Sequence, residues 1–408
     1  MGVPIVVHAR HVAFGAACAW LALASVAQAQ PVVSYRDAGD QASERAPDVI
    51  VAGARAASAH AEVGVAGMFP NPRITVGTTS GSSMIYGQLY VALPIFGQRE
   101  ASADAADAVA QVAAAGVDVT RLDARWTAEL AWVDLWLAQA ELGVATATVA
   151  RRDGLLEAAQ ARLDEGAGTR LDVVRAEAEA ERARAELDAL GDAITAASAR
   201  LATILGDDAS GVTLGAEGDP PLVRVPTVDE VTDAMADHPV LARARTAIAA
   251  ADAVVASAHR SRWPLMYLQT QANLFERFGP PTEDFQVQLG FDIPISSEPL
   301  ITRAETQRLS IIAERDAFAT QVLGAALSAR AEYAAADRRW RAQAEHALPL
   351  AREAAELTRE AYESGALDLT GALVAEQTRG DAELAASVAL AARGRALANL
   401  EHALGRQL

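Results

Sequence analysis

The segment Gln88–Ile95 reads QLYVALPI, and it recurs 200 residues later as QLGFDIPI at Gln288–Ile295. Further matches follow in the same order along the chain: Gly166 with Gly365, Glu177 with Glu376, and Leu205-Gly206 with Leu404-Gly405. An ordered series of matches at nearly constant spacing indicates an internal duplication. The sequence therefore divides into two repeats, 48–206 and 238–405, joined by a connector at 207–237 that is rich in Gly, Pro and Asp.

Both repeats follow the same predicted plan of a helix, a β-hairpin and a long helical hairpin. The predicted β-hairpins lie at about 73–93 and 265–293, and the predicted helical hairpins at 98–206 and 298–405. No Pro interrupts the chain between Pro94 and Pro220, and this region is dominated by strong helix formers. A continuous helix from Gln98 to Glu165 would be ~100 Å long. That length predicts a coiled coil or tunnel rather than a globular core.

The predicted strands alternate between apolar and polar residues. The run 285–293 reads FQVQLGFDI, and 267–274 alternates likewise. Such segments are typical of transmembrane β-barrels, although an ordinary hairpin with one wet face gives the same pattern. Four strands cannot close a barrel, so three chains would be needed to form one of 12 strands around a water-filled lumen. The residues expected to line that lumen are Gln88, Gln269, Gln271, Gln286 and Gln288.

Glycines interrupt both long helical stretches at matching places. Gly166 and Gly168 precede a Thr/Asp segment, and the pattern returns at Gly365. A helix that ends at Gly and restarts at a Thr or Asp cap forms a hairpin, so we expect reversals near 166–170 and 365–368. The alternative is a continuous helix that tolerates Gly. Pro349 predicts a kink in the second stretch.

The N-terminus has the features of a secretory signal peptide at residues 1–29. An apolar run from Val12 to Val26 is followed by Ala27-Gln28-Ala29, a small-x-small cleavage site. A buried helix or a signal anchor is the alternative. The one Cys of the chain, Cys18, lies inside this segment, and Gly15 stands where a lipoprotein signal needs an aliphatic residue, so lipidation is not expected. The polar segment 30–47 is expected to be flexible.

Composition excludes several classes of function. The net charge is -18, and all 35 basic residues are Arg. Nucleic-acid binding needs a basic surface, which argues against that class. The scattered His residues form no metal-ligand pair and the chain has no nucleophile elbow, so we expect no enzyme, metal site or cofactor. No segment after residue 29 has the roughly 18 consecutive apolar residues of a membrane-spanning helix.

Taken together, these features resemble the TolC-like family of outer-membrane efflux proteins, and its metal and drug efflux branches most of all. The resemblance covers nearly all of the chain after residue 29. It is carried by the tandem repeats, by FPNP at 69–72, by the strand–Pro–helix junctions at Pro94 and Pro294, by Gly166 with LDVV at 171–174 and its partner Gly365, and by HPVLARA at 238–244.

The resemblance implies a mainly α fold with a small β part. Three chains would form an outer-membrane β-barrel and an α-helical tunnel that extends into the periplasm. Such a channel passively exports small molecules or metal ions that a periplasmic adaptor and an inner-membrane pump of the RND or a related type deliver. A periplasmic coiled-coil adaptor or structural protein is the alternative function, and it explains the helices but not the two hairpins.

By resemblance, the two reversals lie at the periplasmic tip, where the tunnel closes and the adaptor docks. The residues implied in docking are Gly166, Gly168, Leu171, Asp172, Val174, Gly365, Leu367 and Asp368.

The chain departs from the family pattern at the same tip. Leu367 stands where some members carry Arg, and Gly371 and Val374 stand where some carry an acidic ring. Candidate gate or lumen acids are therefore the carboxylates near the reversals: Asp164, Glu165, Asp172, Glu363 and Asp368. Helix capping or simple solvation is the alternative role for each. An acidic lumen would favour cations.

Overall fold

The computed structural model describes residues 31–79, 84–207, 213–275 and 285–408. The predicted signal peptide and Cys18 lie outside these residues. The described chain is mainly helical with a small β part, as the sequence predicts. None of its helices combines the length and the apolar character needed to cross a membrane.

The first repeat is preceded by a short strand and helix. The elements up to the connector are β1 (Val32–Ser34), α1 (Tyr35–Arg45), α2 (Pro47–Ala66), β2 (Arg73–Thr79), β3 (Met84–Leu93), α3 (Gln98–Asp164), α4 (Arg170–Asp188) and α5 (Gly191–Leu205). Helix α3 has 67 residues and packs against six other helices: α1, α2, α4, α5, α7 and α10. Ala residues such as Ala124, Ala128 and Ala131 are buried along it, so neighbouring helices can approach closely.

The connector and the second repeat follow. Their elements are β4 (Gly215–Glu217), α6 (Val228–Ala234), a 3₁₀ turn (Met235–Asp237), α7 (Pro239–Arg260), β5 (Leu265–Phe275), β6 (Phe285–Asp292), α8 (Glu298–Arg341), a π-helical turn (Ala342–Ala347), α9 (Leu348–Glu363) and α10 (Leu369–Leu404). The π turn ends just before Pro349. Pro349 has no backbone N–H to donate to the residue four positions earlier. In a π turn the hydrogen bonds run from i to i−5 instead, and such a local irregularity is expected beside a Pro within a helix.

The two hairpins form one antiparallel sheet in the order β2-β3-β5-β6. Residues directly opposite each other in an antiparallel sheet share a face. One face carries the apolar residues of all four strands, and its outer members are exposed, with Ile74 at 75% and Phe285 at 65%. Strands β2 and β6 are the open edges of the sheet.

Residues 31–46 are ordered, which corrects the expectation that 30–47 is flexible. Strand β1 pairs in parallel with β4 of the connector, and the indole Nε1 of buried Trp132 donates to the Val33 carbonyl at 2.6 Å. The Tyr35 ring packs edge-on against Trp132, and Ala38 and Ala42 are fully buried. The prediction was wrong because a polar composition does not reveal distant partners. The charged residues of this segment bind residues far away in the chain.

The connector is held by a buried arginine. Arg393 of α10 donates to the Asp337 carboxylate at 2.8 Å, to the Tyr333 hydroxyl at 2.9 Å and to the Pro221 carbonyl at 3.0 Å. Tyr333 in turn donates to the Val223 carbonyl at 2.6 Å. These bonds fasten the connector to α8 and α10.

Two glycines, one at the end of α5 and one inside α3, provide a matched test of where the backbone requires Gly. Gly206 ends α5 with a φ of 82°, and a Cβ there would lie 2.8 Å from the Arg45 carbonyl oxygen. Gly154 lies inside α3 with nothing within 4 Å of a Cβ. We expect Gly206→Ala to destabilise the protein by about 1–2 kcal/mol and Gly154→Ala to stabilise it by roughly 0.5–1 kcal/mol. Thermal denaturation midpoints of the detergent-solubilised protein should move in opposite directions; equal shifts would contradict the assignment.

Candidate functional site

The first helical reversal is built by glycines and a capping box. Gly166 has a φ of 72°, and the amides of Ala167 and Gly168 both donate to the Arg162 carbonyl at 2.8 Å. A Cβ on Gly168 would lie 2.9 Å from a backbone nitrogen, so this position requires Gly. The Asp172 amide then donates to the Thr169 hydroxyl at 3.2 Å, while the Asp172 carboxylate accepts from the Thr169 amide at 3.3 Å.

The second reversal repeats this construction with a simpler cap. Gly365 has a φ of 83°, and the amides of Ala366 and Leu367 donate to the Ala361 carbonyl at 2.8 and 3.1 Å. Asp368 caps α10 by accepting from the Gly371 amide at 3.1 Å. The two reversals therefore close by the same backbone geometry, although they belong to different repeats.

Arg162 joins the two reversals. Its guanidinium donates to the Tyr362 carbonyl of the second reversal and lies 4.9 Å from the centre of the Tyr362 ring. Tyr362 is buried, and behind it Leu155, Val173 and Leu369 form a small apolar core shared by both hairpins. Sequence reasoning missed this pair because its members are 200 residues apart; the one available signal was an aromatic residue three positions before Gly365.

The two reversals together, at 166–174 and 365–368, are called the tip below. The tip exposes apolar side chains. Leu171 is 56% exposed, Val174 is 47% and Leu367 is 37%. Of the candidate acids, Asp164, Glu165, Glu363 and Asp368 are exposed and Asp172 is half-buried. Asp172 and Asp368 have a definite local role as helix caps, and Glu363 lies 3.9 Å from Arg359.

A network of ion pairs connects α3, α9 and α10 away from the reversals. Sequence reasoning missed this network too. Arg151 of α3 lies 3.0 Å from both Glu376 and Glu383 of α10. Arg352 of α9 and Arg379 also reach Glu383, at 3.2 and 3.3 Å. Burial tends to raise the pKa of Glu383, but the three guanidiniums outweigh it and lower that pKa. The only sequence signal was the match of Glu376 with Glu177.

The five predicted lumen residues share one face of the sheet. Gln88 pairs with Gln271, Gln271 with Gln286, and Gln269 with Gln288. On the same face Tyr86 covers Gly77 and Tyr267 covers Gly290, because a Cβ on either glycine would collide with the ring. This face is therefore polar and aromatic, whereas the opposite face is apolar.

The N-terminal segment covers a buried pair of carboxyl groups. Glu129 and Glu401 are 1% and 2% exposed. The Tyr35 hydroxyl donates to Glu129 at 3.1 Å, and Arg36 donates to Glu401 at 2.8 Å. Burial, reinforced by Glu401, raises the pKa of Glu129 to about 8. Its Oε1 is buried without a partner among the described residues, which fits a protonated carboxyl.

The described residues contain no cluster of His, Cys, Asp and Glu that could hold a metal ion.

Comparison with known proteins identifies the fold. Residues 38–207 match the family model described as outer membrane efflux protein. The chain has no match among curated proteins. Three solved channels are similar over 91% of this chain: OprN, at 20% identity and a TM-score of 0.72 over 89% of its length; VceC from Vibrio cholerae, at 19% and 0.70 over 96%; and MtrE from Neisseria gonorrhoeae, at 20% and 0.71 over 89%.

Glu129 should make stability depend on pH. Its ordinary pKa is 4.5 and its pKa in the folded protein is about 8. The folded state therefore binds the proton more tightly, so the stabilisation is fully present below pH 4.5 and lost as the pH rises through 8. We expect the denaturation midpoint to fall over this range, at a slope of up to about 1.4 kcal/mol per pH unit. Glu129→Gln should flatten this slope and the exposed Glu62→Gln should not; parallel profiles would contradict the assignment.

Proposed function

We propose that the protein is a TolC-like outer-membrane efflux channel, and that three copies form a closed tube through which an inner-membrane pump exports its substrate. The proposal of a trimer rests on the four-stranded sheet β2-β3-β5-β6. It presents one apolar face to solvent, one polar face opposite, and two open edges. Open edges are not tolerated in hydrocarbon, so they must pair with other copies.

Closure of three such sheets gives a 12-stranded barrel in the outer membrane with the apolar face toward lipid. The Gln residues and the Tyr-covered glycines then line an aqueous lumen. Each strand pair continues directly into α3 or α8, so the same three copies extend the tube into the periplasm. The channel supplies no energy and carries out no reaction, because its part in export is passive.

The paired reversals form the periplasmic end of the tube. The exposed apolar residues Leu171, Val174 and Leu367 would bury against the helices of a periplasmic adaptor. Gly166, Gly168, Gly365 and the caps Asp172 and Asp368 set the shape of that docking surface.

The Arg162–Tyr362 contact supports a closed tip. It ties the first hairpin to the second, so opening by a shift of one hairpin against the other must break it. Adaptor and pump would open the tube by favouring the shifted packing.

A conductance experiment tests the function as a whole. The detergent-extracted outer-membrane protein should run as a trimer and insert into planar bilayers as a channel with low basal conductance. Arg162→Ala should raise the open probability by about tenfold, because it removes a charge-assisted hydrogen bond and a cation–π contact. Arg170→Ala is the matched control, since Arg170 is exposed at the same tip and has no side-chain hydrogen bond or ion pair among the described residues. A soluble monomer without channel activity would overturn the proposal.

A second experiment separates gating acids from structural caps. The double substitution Asp172→Asn and Asp368→Asn keeps a capping side chain and removes both charges. If these acids line the tip, the reversal potential in a salt gradient should show a weaker cation preference. Asp188→Asn, an exposed acid at the end of α4, is the control. Unchanged selectivity would leave both residues with their capping role alone.

A further inference from the structure

A groove with aliphatic walls and two arginines lies among the four helices that flank the β-hairpins. Helices α2, α3, α7 and α8 lie side by side there and enclose a groove of about 640 Å³. Its walls are aliphatic, formed by residues such as Val112, Val119, Val254 and Ile311. A volume of this size is typical of sites that take small organic ligands.

The groove lies on the face of α3 opposite the N-terminal segment. On α3, residues Asp118, Arg125 and Glu129 line the side toward that segment, where Ser43 lines a smaller cavity. The groove uses the opposite side of α3, between Val109 and Thr120. In the proposed tube, we assign this opposite face to the lumen.

The charges of the groove are positive although the chain is acidic. Arg55 and Arg243 line it, and neither takes part in an ion pair or a side-chain hydrogen bond among the described residues. The Arg243 side chain lies next to Gly116: a Cβ added to Gly116 would be 3.8 Å from Arg243 Nε. Asp123, the one acid of the lining, is engaged with His402 at 2.8 Å.

We propose that this groove is a binding site for an amphiphile with an anionic head, such as an alkyl carboxylate or sulfonate. The aliphatic walls take the apolar body, and the two guanidiniums take the head by charge-assisted hydrogen bonds. The proposal names a substrate class for the tube, and in that respect it rests on the proposed function. A metal cation fits poorly, because the free charges of the groove would repel it.

Photocrosslinking tests the site directly. The probe is a dodecanoate that carries a diazirine in its chain, and the matched probe replaces the carboxylate with trimethylammonium. With the trimer in a non-ionic detergent, the anionic probe should label peptides of α3 between 109 and 123 and of α7 between 243 and 254. Both probes should label the apolar face of the strands, which serves as the internal control.

Three variants sharpen the test. Arg55→Gln with Arg243→Gln should reduce groove labelling by about tenfold, because two charge-assisted bonds are lost. Gly116→Leu should block it by filling the floor, and its longer side chain suits a helix. Arg245→Gln, on the same helix but outside the groove, should leave labelling unchanged.

Each outcome decides between the proposals. Equal groove labelling by both probes, or labelling that survives the double substitution, would overturn the charge selection. Labelling confined to the strands would overturn the site. Either result leaves the conductance of the channel untouched, so failure of this inference is distinguishable from failure of the proposed function.

Discussion

The unpaired backbone at the sheet edges is the constraint on which the rest of this structure depends. Among the described residues, strands β2 and β6 each have one side without a partner, and the apolar face between them is exposed. In a membrane neither condition would be stable for one copy, which is why the proposed function needs other copies to close the sheet. Strands β3 and β6 lead directly into the long helices α3 and α8, so the sheet fixes where these helices begin. Small residues such as Ala124 and Ala128 are buried along α3 and let its neighbours approach closely, whereas Trp132 and Tyr333 fill the core near the connector.

The internal duplication produces two similar helical reversals, and sequence differences between the repeats allow the two reversals to contact each other. Both reversals use a left-handed Gly and a polar cap, but only the first has a reciprocal capping box. The cation is on one hairpin, at Arg162, and the aromatic ring is on the other, at Tyr362. At the matching positions the repeats differ, since Ala361 corresponds to Arg162 and Leu163 to Tyr362, so each repeat supplies one partner of the contact. The difference between the halves therefore carries the contact that holds the tip together.

The features that sequence predicts are those set by local chemistry or by regular spacing. Alternation predicted the faces of the strands, and helix formers without Pro predicted the length of α3. Long-range partners were not predictable. The polar segment 31–46 is ordered because Trp132, Glu129 and Glu401, all distant in sequence, bind it. Capping by Asp172 and Asp368 was one of two open roles, since a carboxylate at or just after a helix start fits both a cap and a gate.

The net charge of this chain says little about the charge that a substrate meets. Many acids are neutralised in place: Glu383 by three guanidiniums, Glu401 by Arg36, and Asp134 by Arg395 at 2.8 Å. Because Arg alone supplies the positive charge, each of these pairs can use a planar, multidentate donor that also bridges helices. The charge of any one surface then depends on which of its own side chains remain unpaired. The groove that carries Arg55 and Arg243, which form no ion pair among the described residues, is thus compatible with a strongly acidic protein. In the proposed tube, selectivity would follow the unpaired charges at each level rather than the total.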